Sequence, residues 1–114
     1  MNSCLFCRIV SEELPAEVVG SGERTLAFRD INPVAPTHVL IIPKDHITNA
    51  SHLESSHGDL LAEMMLLAQQ VAANEKIDES GFRLVFNIGK DAGNLVPHLH
   101  LHVIGGRPMA WPPG

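Results

Sequence analysis

The chain has 114 residues, which suffices for one domain, residues 1–114, with a single modest core. Hydrophobic residues make up 45% and charged residues 18% of the chain, a balance that excludes a disordered protein. The formal net charge of -5 and the absence of a Lys/Arg cluster argue against nucleic-acid binding, and no apolar run is long enough to span a membrane. Because the chain does not open with a basic region and a long apolar stretch, no signal peptide is expected and the predicted location is cytoplasmic.

Apolar residues recur either at every second position or at three- and four-residue spacing, and these patterns divide the chain into strands and helices. The predicted strands cover residues 17–20, 25–29, 38–42, 82–87 and 98–104. A short amphipathic helix is predicted at residues 4–10, a single helical turn at 44–47, and one long helix with a broad apolar stripe at 57–76. Five strands joined mostly by short turns, with one long and one short helix, predict an α+β domain built on a five-stranded antiparallel sheet.

Two cysteines close to the N-terminus, Cys4 and Cys7, form a CxxC motif. The motif lies too near the start of the chain for the strand that precedes a redox CxxC, and a structural disulfide is not expected in a reducing compartment. Metal ligation is therefore the better chemical interpretation, although ordinary buried thiols explain CxxC alone nearly as well. Two cysteines supply half of a tetrahedral zinc site, so histidines elsewhere in the chain are the obvious further donors.

Three histidines alternate with apolar residues in the segment PHLHLHVIGG. On a strand, His98, His100 and His102 would line one face while Leu99 and Leu101 enter a core on the other. Side chains two apart on a strand lie ~7 Å apart, so one metal ion cannot easily hold all three imidazoles. A solvated edge strand would show the same alternation, but three imidazoles in register on an apolar strand favour a functional role. The spacing favours separate roles, in which one histidine reacts and its neighbours position it or bind the substrate.

The histidine row and three further segments resemble the histidine triad (HIT) family. The segments CLFCRI, AFRDINPVAPTHVLIIPKDHI, FNIGKDAG and HLHLHVIGGRPMAWPPG are similar to the Hint branch of purine nucleoside phosphoramidases, and the resemblance covers almost the whole chain. It implies a homodimer whose two five-stranded sheets join across the interface. It also implies hydrolysis of a purine nucleoside 5′-phosphoramidate, such as AMP joined to an amine, through a covalent nucleotidyl-histidine intermediate. Two alternatives stay open: a dinucleoside polyphosphate hydrolase, and a zinc-stabilised nucleotide-binding module with little catalysis.

The resemblance assigns the catalytic roles to three histidines. His100 falls at the family's nucleophile, whose second ring nitrogen is held by a backbone carbonyl near the first histidine of the row. His102 matches the residue that donates a hydrogen bond to the phosphate, and His38 matches a further active-site histidine. Without the resemblance, a hydrogen-bonded core histidine would explain His38 equally well.

The resemblance also implies a nucleotide site. Asp30 matches the carboxylate that binds the ribose hydroxyls, Asn87 matches a residue near the ribose and phosphate, and Gly93 can bring a backbone N–H close to a phosphate oxygen. By resemblance, Trp111 reaches the active site of the partner subunit and contributes to nucleotide binding there. The apolar slot for the base matches Leu5, Phe6, Ile9, Leu14, Phe28, Ile31 and Leu40.

A structural zinc ion is the remaining implication. His46 and His98 fall where zinc-binding relatives complete a site with Cys4 and Cys7, and His98 would then also lock the strand that carries His100. The zinc is expected to stabilise the fold and to take no part in the reaction.

Four positions depart from the family pattern. Asn94 stands where Gln is common, Leu95 where a hydroxyl residue is common, and Pro97 where an aromatic residue is common. Arg29 replaces the His of the animal proteins, at the edge of the base slot. Asn94 and Leu95 are still expected to line the nucleotide site, but Leu95 cannot donate the hydrogen bond that a hydroxyl would supply.

Overall fold

The computed structural model describes residues 3–114, and within them the chain forms a five-stranded antiparallel sheet with one long and one short helix. The elements in chain order are α1 (Leu5–Val10), β1 (Val18–Ser21), β2 (Thr25–Arg29), β3 (Thr37–Pro43), two 3₁₀ turns (Ala50–His52 and Ser55–His57), α2 (Gly58–Asn74), β4 (Phe82–Val85) and β5 (Leu101–Gly105). The strands lie in the order β1-β2-β3-β5-β4, and every neighbouring pair is antiparallel. The predicted fold class is therefore confirmed.

Alternation along the strands gives the sheet two different faces. On β3, Val39 and Ile41 pack against α2, and we call this side of the sheet the closed face. Leu40 and Ile42 point to the opposite side, beneath α1, which we call the open face. A single strand therefore supplies the main core with one half of its residues and the second side of the sheet with the other half.

The closed face holds the main core. The apolar stripe of α2 lies across the sheet, and the side chains between them are almost completely buried. The buried residues of this core are Ala27, Val39, Ile41, Leu60, Met64, Leu67, Ala68, Val71, Ala72, Ile77, Leu99, Leu101 and Val103. Burying each of the larger side chains contributes about 1.5–3 kcal/mol, so this layer dominates the stability of the domain.

The ends of α2 are set by local contacts. At the start, the backbone N–H of Glu54 donates to Nδ1 of His57 across 2.9 Å, directly before the first helical residue, Gly58. At the other end, Lys76 has a φ of 60°, a left-handed conformation that stops the helix. The helix is therefore slightly shorter than predicted. None of the helices in residues 3–114 combines the length and apolar character needed to cross a membrane.

The helical turn predicted at residues 44–47 is wrong. Residues 44 and 45 form a bend, and residues 46 and 47 have no regular secondary structure. The backbone N–H of Lys44 donates to the carbonyl oxygen of Arg24 across 2.8 Å, so it continues the pairing between β2 and β3 beyond the end of β3. Cross-strand pairing has therefore overridden the local preference of this segment.

β5 begins at Leu101, three residues later than predicted. If the register with β3 continued, Leu99 would stand opposite Pro43, which has no N–H to donate. The N–H of Leu99 donates instead to the carbonyl oxygen of Ile47, across 2.6 Å. β4 also ends earlier than predicted, at Val85, which pairs with His102.

The prediction that all three histidines lie on one strand is therefore wrong for His98 and His100, which precede β5. The alternation nevertheless continues through this segment, since Leu99 is buried in the closed-face core while His100 contacts Phe6 on the open face. The ring centroids of His100 and His102 are 5.0 Å apart, closer than the ~7 Å expected for an ideal strand. The two rings therefore touch each other.

Candidate active site

The open face carries a cleft of about 570 Å³, a size typical of small-molecule sites. α1 forms part of its wall through Phe6, whose ring packs edge to face on Phe28 with centroids 5.5 Å apart. The residues predicted for the base slot all line this cleft: Leu5, Phe6, Ile9, Leu14, Phe28, Ile31 and Leu40. His38, His100 and His102 line it too. The structure thus brings the predicted base slot and the predicted catalytic histidines together.

The ring of His100 is oriented by a main-chain oxygen. Its Nδ1 lies 2.7 Å from the carbonyl oxygen of His98, which can only accept, so Nδ1 carries the proton and donates. The other ring nitrogen, Nε2, keeps a free lone pair. The ring is held edge to face against Phe6, with centroids 5.2 Å apart. A neutral imidazole fixed in this tautomer can act as a nucleophile.

A second main-chain group assigns the tautomers of the other two histidines. The N–H of Val34 donates to Nδ1 of His38 across 3.2 Å, so a neutral His38 carries its proton on Nε2. That Nε2 lies 2.8 Å from Nδ1 of His102 and donates to it. The proton of His102 is then on Nε2, which lies 3.5 Å from the side-chain amide of Asn87, another residue of the cleft wall. The relay directs an N–H of His102 toward the cleft.

Burial keeps both histidines of this relay neutral. It lowers the pKa of His38, against the opposing effect of the Asp30 carboxylate. The pKa of His102 falls to about 4, because burial disfavours its charged form and the neighbouring His100 and His38 add to the effect. At neutral pH the contact between His38 and Asp30, at 3.5 Å, is therefore not an ion pair.

Asp30 lies at the end of β2, where it borders the cleft. One carboxylate oxygen accepts a hydrogen bond from the N–H of Asn32 across 2.8 Å, which fixes the side chain. The donor atoms of Asp30, His38 and His102 lie within 4.8 Å of one another, close enough to suggest a metal site. The N–H of Val34 argues against this, because it holds His38 in the tautomer whose Nε2 is protonated and cannot ligate. This group is better described as a hydrogen-bonded relay.

A different cluster has the chemistry of a zinc site. The ligand atoms of Cys4, Cys7, His46 and His98 all lie within 4.8 Å of one another. Nδ1 of His98 is 3.2 Å from Sγ of Cys4, and Nδ1 of His46 is 3.4 Å from Sγ of Cys7. Two thiolates and two imidazoles form a common tetrahedral donor set for structural zinc.

The surroundings of His98 support the same conclusion. Nε2 of His98 donates to the carbonyl oxygen of Pro43 across 2.9 Å, which leaves Nδ1 as the ligating nitrogen. Burial lowers the pKa of His98, so the ring is neutral, as a ligand must be. The residues present therefore fit a closed zinc site.

Several predicted site residues lie at the rim of the cleft or outside it. Leu95 lines the rim and is 91% exposed. Gly93 also lines the cleft, but its N–H already donates to the carbonyl oxygen of Lys90. Asn94 is not part of the lining, and within residues 3–114 its buried Oδ1 has no hydrogen-bond partner. Trp111 lies outside the cleft as well, in a second groove of this chain beside Arg83, and is 82% exposed.

Sequence reasoning missed part of the lining. The additional residues are Pro15, Ala16, Asn32, Val34 and Val96. Val34 acts through its backbone N–H, which leaves no side-chain signal in the sequence. Arg29 also borders the cleft, but its guanidinium is bound to Glu75 at 2.5 and 3.0 Å and to Glu17 at 2.8 Å. Its charge is therefore committed to ion pairs.

The chain belongs to the HIT family, since residues 11–109 match the family model described as HIT domain. Its fold matches the crystal structure of a HIT family hydrolase from Legionella pneumophila Philadelphia 1 with a TM-score of 0.96 and 49% identity, covering 98% of this chain and 100% of the other. It is 46% identical to a 14 kDa zinc-binding protein of Zea mays, over 96% of this chain and 87% of that protein. It is also 46% identical to adenylylsulfatase HINT1 of Arabidopsis thaliana, over 96% of this chain and 76% of that protein. The family resemblance is confirmed, and these names support the Hint branch.

Proposed function

We propose that the chain hydrolyses purine nucleoside 5′-phosphoramidates through a covalent nucleotidyl-histidine intermediate. The observation that carries the proposal is the 2.7 Å hydrogen bond from Nδ1 of His100 to the carbonyl oxygen of His98, which leaves the Nε2 lone pair free beside an apolar cleft. The Legionella relative, named a HIT family hydrolase, and the Arabidopsis relative, named an adenylylsulfatase, support hydrolysis at a nucleotide phosphorus.

In the first step, Nε2 of His100 attacks the phosphorus, and the phosphorus–nitrogen bond to the amine breaks as the new bond forms. The amine leaves with a proton. The Nε2–H of His102, directed by the relay from Val34 and His38, donates a hydrogen bond to a non-bridging phosphate oxygen and stabilises its developing charge. Water then attacks the phosphorus, the bond between Nε2 of His100 and phosphorus breaks, and the water gives up a proton that balances the one taken by the amine. The products are the nucleoside monophosphate and free His100.

The nucleotide is held along the cleft. The base packs in the apolar slot between α1 and the sheet, where the Phe6 and Phe28 rings offer flat apolar surface. The Asp30 carboxylate accepts hydrogen bonds from the ribose hydroxyls, and Asn87 lies at the phosphate end beside His102. Gly93 lines the cleft without a side chain. Its N–H donates to the carbonyl oxygen of Lys90 within its own turn, so in this conformation it does not donate to the phosphate.

A structural zinc ion held by Cys4, Cys7, His46 and His98 accompanies this site. The donor set, the fixed tautomer of His98 and the name of the Zea mays relative support it. When bound, the ion stabilises the fold and supplies no reaction chemistry, since all four positions of a tetrahedral ion would be filled by protein.

The active form is a homodimer, supported by the exposed side of α2. From residue 62 to residue 73 that side carries no charge, although the chain as a whole is 18% charged. Its residues are Ala62, Met65, Leu66, Gln69, Gln70 and Ala73. Depletion of charge is typical of interface cores. Sedimentation of the wild-type chain and of Leu66→Glu tests this, because a buried carboxylate should shift the variant to monomer.

Rapid-quench kinetics test the proposed reaction directly. With an adenosine 5′-phosphoramidate of a fluorescent amine, we expect a burst of amine equal to the enzyme concentration and an adenylylated peptide containing His100. A burst without that adduct would contradict the covalent route. Faster turnover of diadenosine polyphosphates than of the phosphoramidate would favour the polyphosphate hydrolase. Tight AMP binding with neither burst nor turnover would favour the nucleotide-binding module.

A further inference from the structure

We propose that metal binding by Cys4, Cys7, His46 and His98 controls the affinity of the cleft for a nucleoside monophosphate. The two connections are the ring of Phe6 and the main chain of His98. This inference rests on the proposed nucleotide site, and it concerns regulation of that site.

The first connection is the residue inside the CxxC motif. Phe6 stands between the two cysteines, is 5% exposed, and lines the base slot. Its ring centroid lies 5.8 Å from that of His98, on the metal side, and 5.2 Å from that of His100, on the reaction side. A movement of the ligands therefore moves a wall of the nucleotide site.

α1 depends on such contacts for its position. It has six residues, and helices of this length are not stable on their own in water. A metal held by the cluster would tie α1 to the segment after β3, which carries His46, and to the segment before β5, which carries His98. Two of these three segments, α1 and the segment before β5, supply walls of the cleft.

The second connection runs through His98 itself. Its ring faces Sγ of Cys4 at 3.2 Å and the carbonyl oxygen of Pro43 at 2.9 Å, while its own carbonyl oxygen accepts from His100 at 2.7 Å. Fixing the ring of His98 therefore fixes the group that orients His100. We assign His98 as a positioning residue, because it acts through His100.

Coupling of this kind is reciprocal. If the metal raises nucleotide affinity by some factor, the nucleotide must raise metal affinity by the same factor, and such factors are typically about 5–150-fold. We expect a factor on the order of tenfold here, because the metal holds the wall of the base slot and makes no contact with the phosphate.

The full chain under reducing conditions provides the test, with Zn²⁺ and AMP as probes. Calorimetry should show AMP binding about tenfold weaker after chelation of the metal, with full recovery when Zn²⁺ is returned. AMP should lower transfer of Zn²⁺ to a chromophoric chelator by the same factor. Equal AMP affinity in loaded and depleted protein that retains its circular dichroism would overturn the inference. No AMP binding by the loaded protein would overturn the nucleotide site itself, and this inference with it.

A pair of aromatic variants separates coupling from general stability. Phe6→Leu should reduce the effect of Zn²⁺ on AMP affinity from about tenfold to about threefold, because the ring contacts that join His98 to His100 through Phe6 are lost and only the main-chain connection remains, while Zn²⁺ affinity is kept. Phe28→Leu is the matched control: it lines the same slot but is not among the ring contacts of His98, so AMP should bind more weakly with the tenfold metal effect intact. Equal metal effects in the two variants would contradict the assignment of Phe6.

If the chain unfolds when its metal is removed, the variant His46→Ala still allows the effect of Zn²⁺ on AMP affinity to be measured. This variant removes one exposed ligand outside the cleft, so AMP affinity should follow Zn²⁺ concentration over a range in which the wild-type site is saturated. His52→Ala, an exposed histidine outside both sites, should behave as wild type. AMP affinity that stays constant while Zn²⁺ occupancy of His46→Ala changes would also overturn the inference.

Discussion

The two faces of the sheet are built by alternate residues of the same strands, yet one became a core and the other a cleft. On β5, Leu101 and Val103 are covered by α2, a helix of 17 residues. On the other side, His102 and the preceding His100 lie beneath α1, which has six residues. The short helix leaves about 570 Å³ unfilled. The length of the covering helix therefore decides which face is free to bind a ligand.

The largest effect is expected from His100→Ala on the open face. Loss of the attacking nitrogen should lower the rate of phosphoramidate hydrolysis by about 10⁴-fold or more, because an active-site nucleophile acts as a unit with its neighbours. AMP affinity should change only a few-fold, and the unfolding free energy should be close to that of wild type. Steady-state kinetics, calorimetry and urea unfolding measure the three quantities. Hydrolysis near the wild-type rate would exclude His100 as the nucleophile; His52→Ala serves as the control.

Substitution of Leu101, the next residue and part of the closed face, should lower stability and leave AMP binding nearly unchanged. Leu101→Ala should lower the unfolding free energy by about 2–5 kcal/mol, because Leu101 is 1% exposed and its removal leaves a cavity under α2. AMP affinity at low temperature should stay within a few-fold of wild type. Val18→Ala, on an exposed position of β1, is the control and should cost less than about 0.5 kcal/mol. If Leu101→Ala abolished AMP binding in a protein that is still folded, the two faces would not be separable.

Acid should destabilise the protein through the open face. The unfolded chain binds a proton at His102 near the ordinary pKa of 6.5, whereas the folded chain does so only near pKa 4. Between these values the unfolded state holds more protons, so stability is fully present above pH 6.5 and falls as the pH drops toward 4. We expect a loss of about 2 kcal/mol from this group, since it is partly exposed. Urea unfolding at pH 7 and pH 4.5 should show a smaller difference in His102→Asn; an equal difference would assign the acid sensitivity to other groups.

A small gain is expected at the rim. Leu95→Ser places a hydroxyl where the cleft has only an apolar side chain, and a hydrogen bond to a charged phosphate at an exposed position should raise kcat about threefold to tenfold. Ile88→Ser, an exposed apolar residue of the same loop that does not line the cleft, is the control and should have no effect. An unchanged kcat in both variants would mean that the phosphate is already fully bound by other groups.

The closed face could be predicted from the sequence because its signal is periodic. The stripe containing Met64 and Val71, and the alternation of Leu101 with His102, are local patterns of apolar residues. The start of β5 could not be predicted, because it depends on Pro43 lying opposite Leu99 in the folded sheet. Nor does the sequence carry any sign that the N–H of Gly93 is used within its own turn.

The candidate site also has features that the sequence predicts and features that it does not. Most of the side chains that line the cleft are predicted by the resemblance, residue by residue, but Pro15, Ala16, Asn32, Val34 and Val96 are not. Asn94 lies outside the cleft, because the direction of a loop side chain depends on its neighbours in space and not on a local pattern. Trp111 is predicted to line the cleft of a partner subunit, and its place in that cleft stays a prediction. The tautomer relay could not be predicted either, since its first donor is a backbone N–H.

Both groups that set the histidine tautomers, the carbonyl oxygen of His98 and the N–H of Val34, belong to the main chain. Any amino acid other than proline offers the same two atoms, so natural variation at positions 34 and 98 can proceed without removing them. For the same reason, replacing either side chain by that of any residue other than proline leaves both main-chain atoms in place. A chemically synthesised chain with an ester in place of the amide N–H of Val34 would remove one hydrogen bond and leave every side chain intact, whereas Val34→Pro, the coded substitution that removes this N–H, would also change the side chain and the backbone freedom.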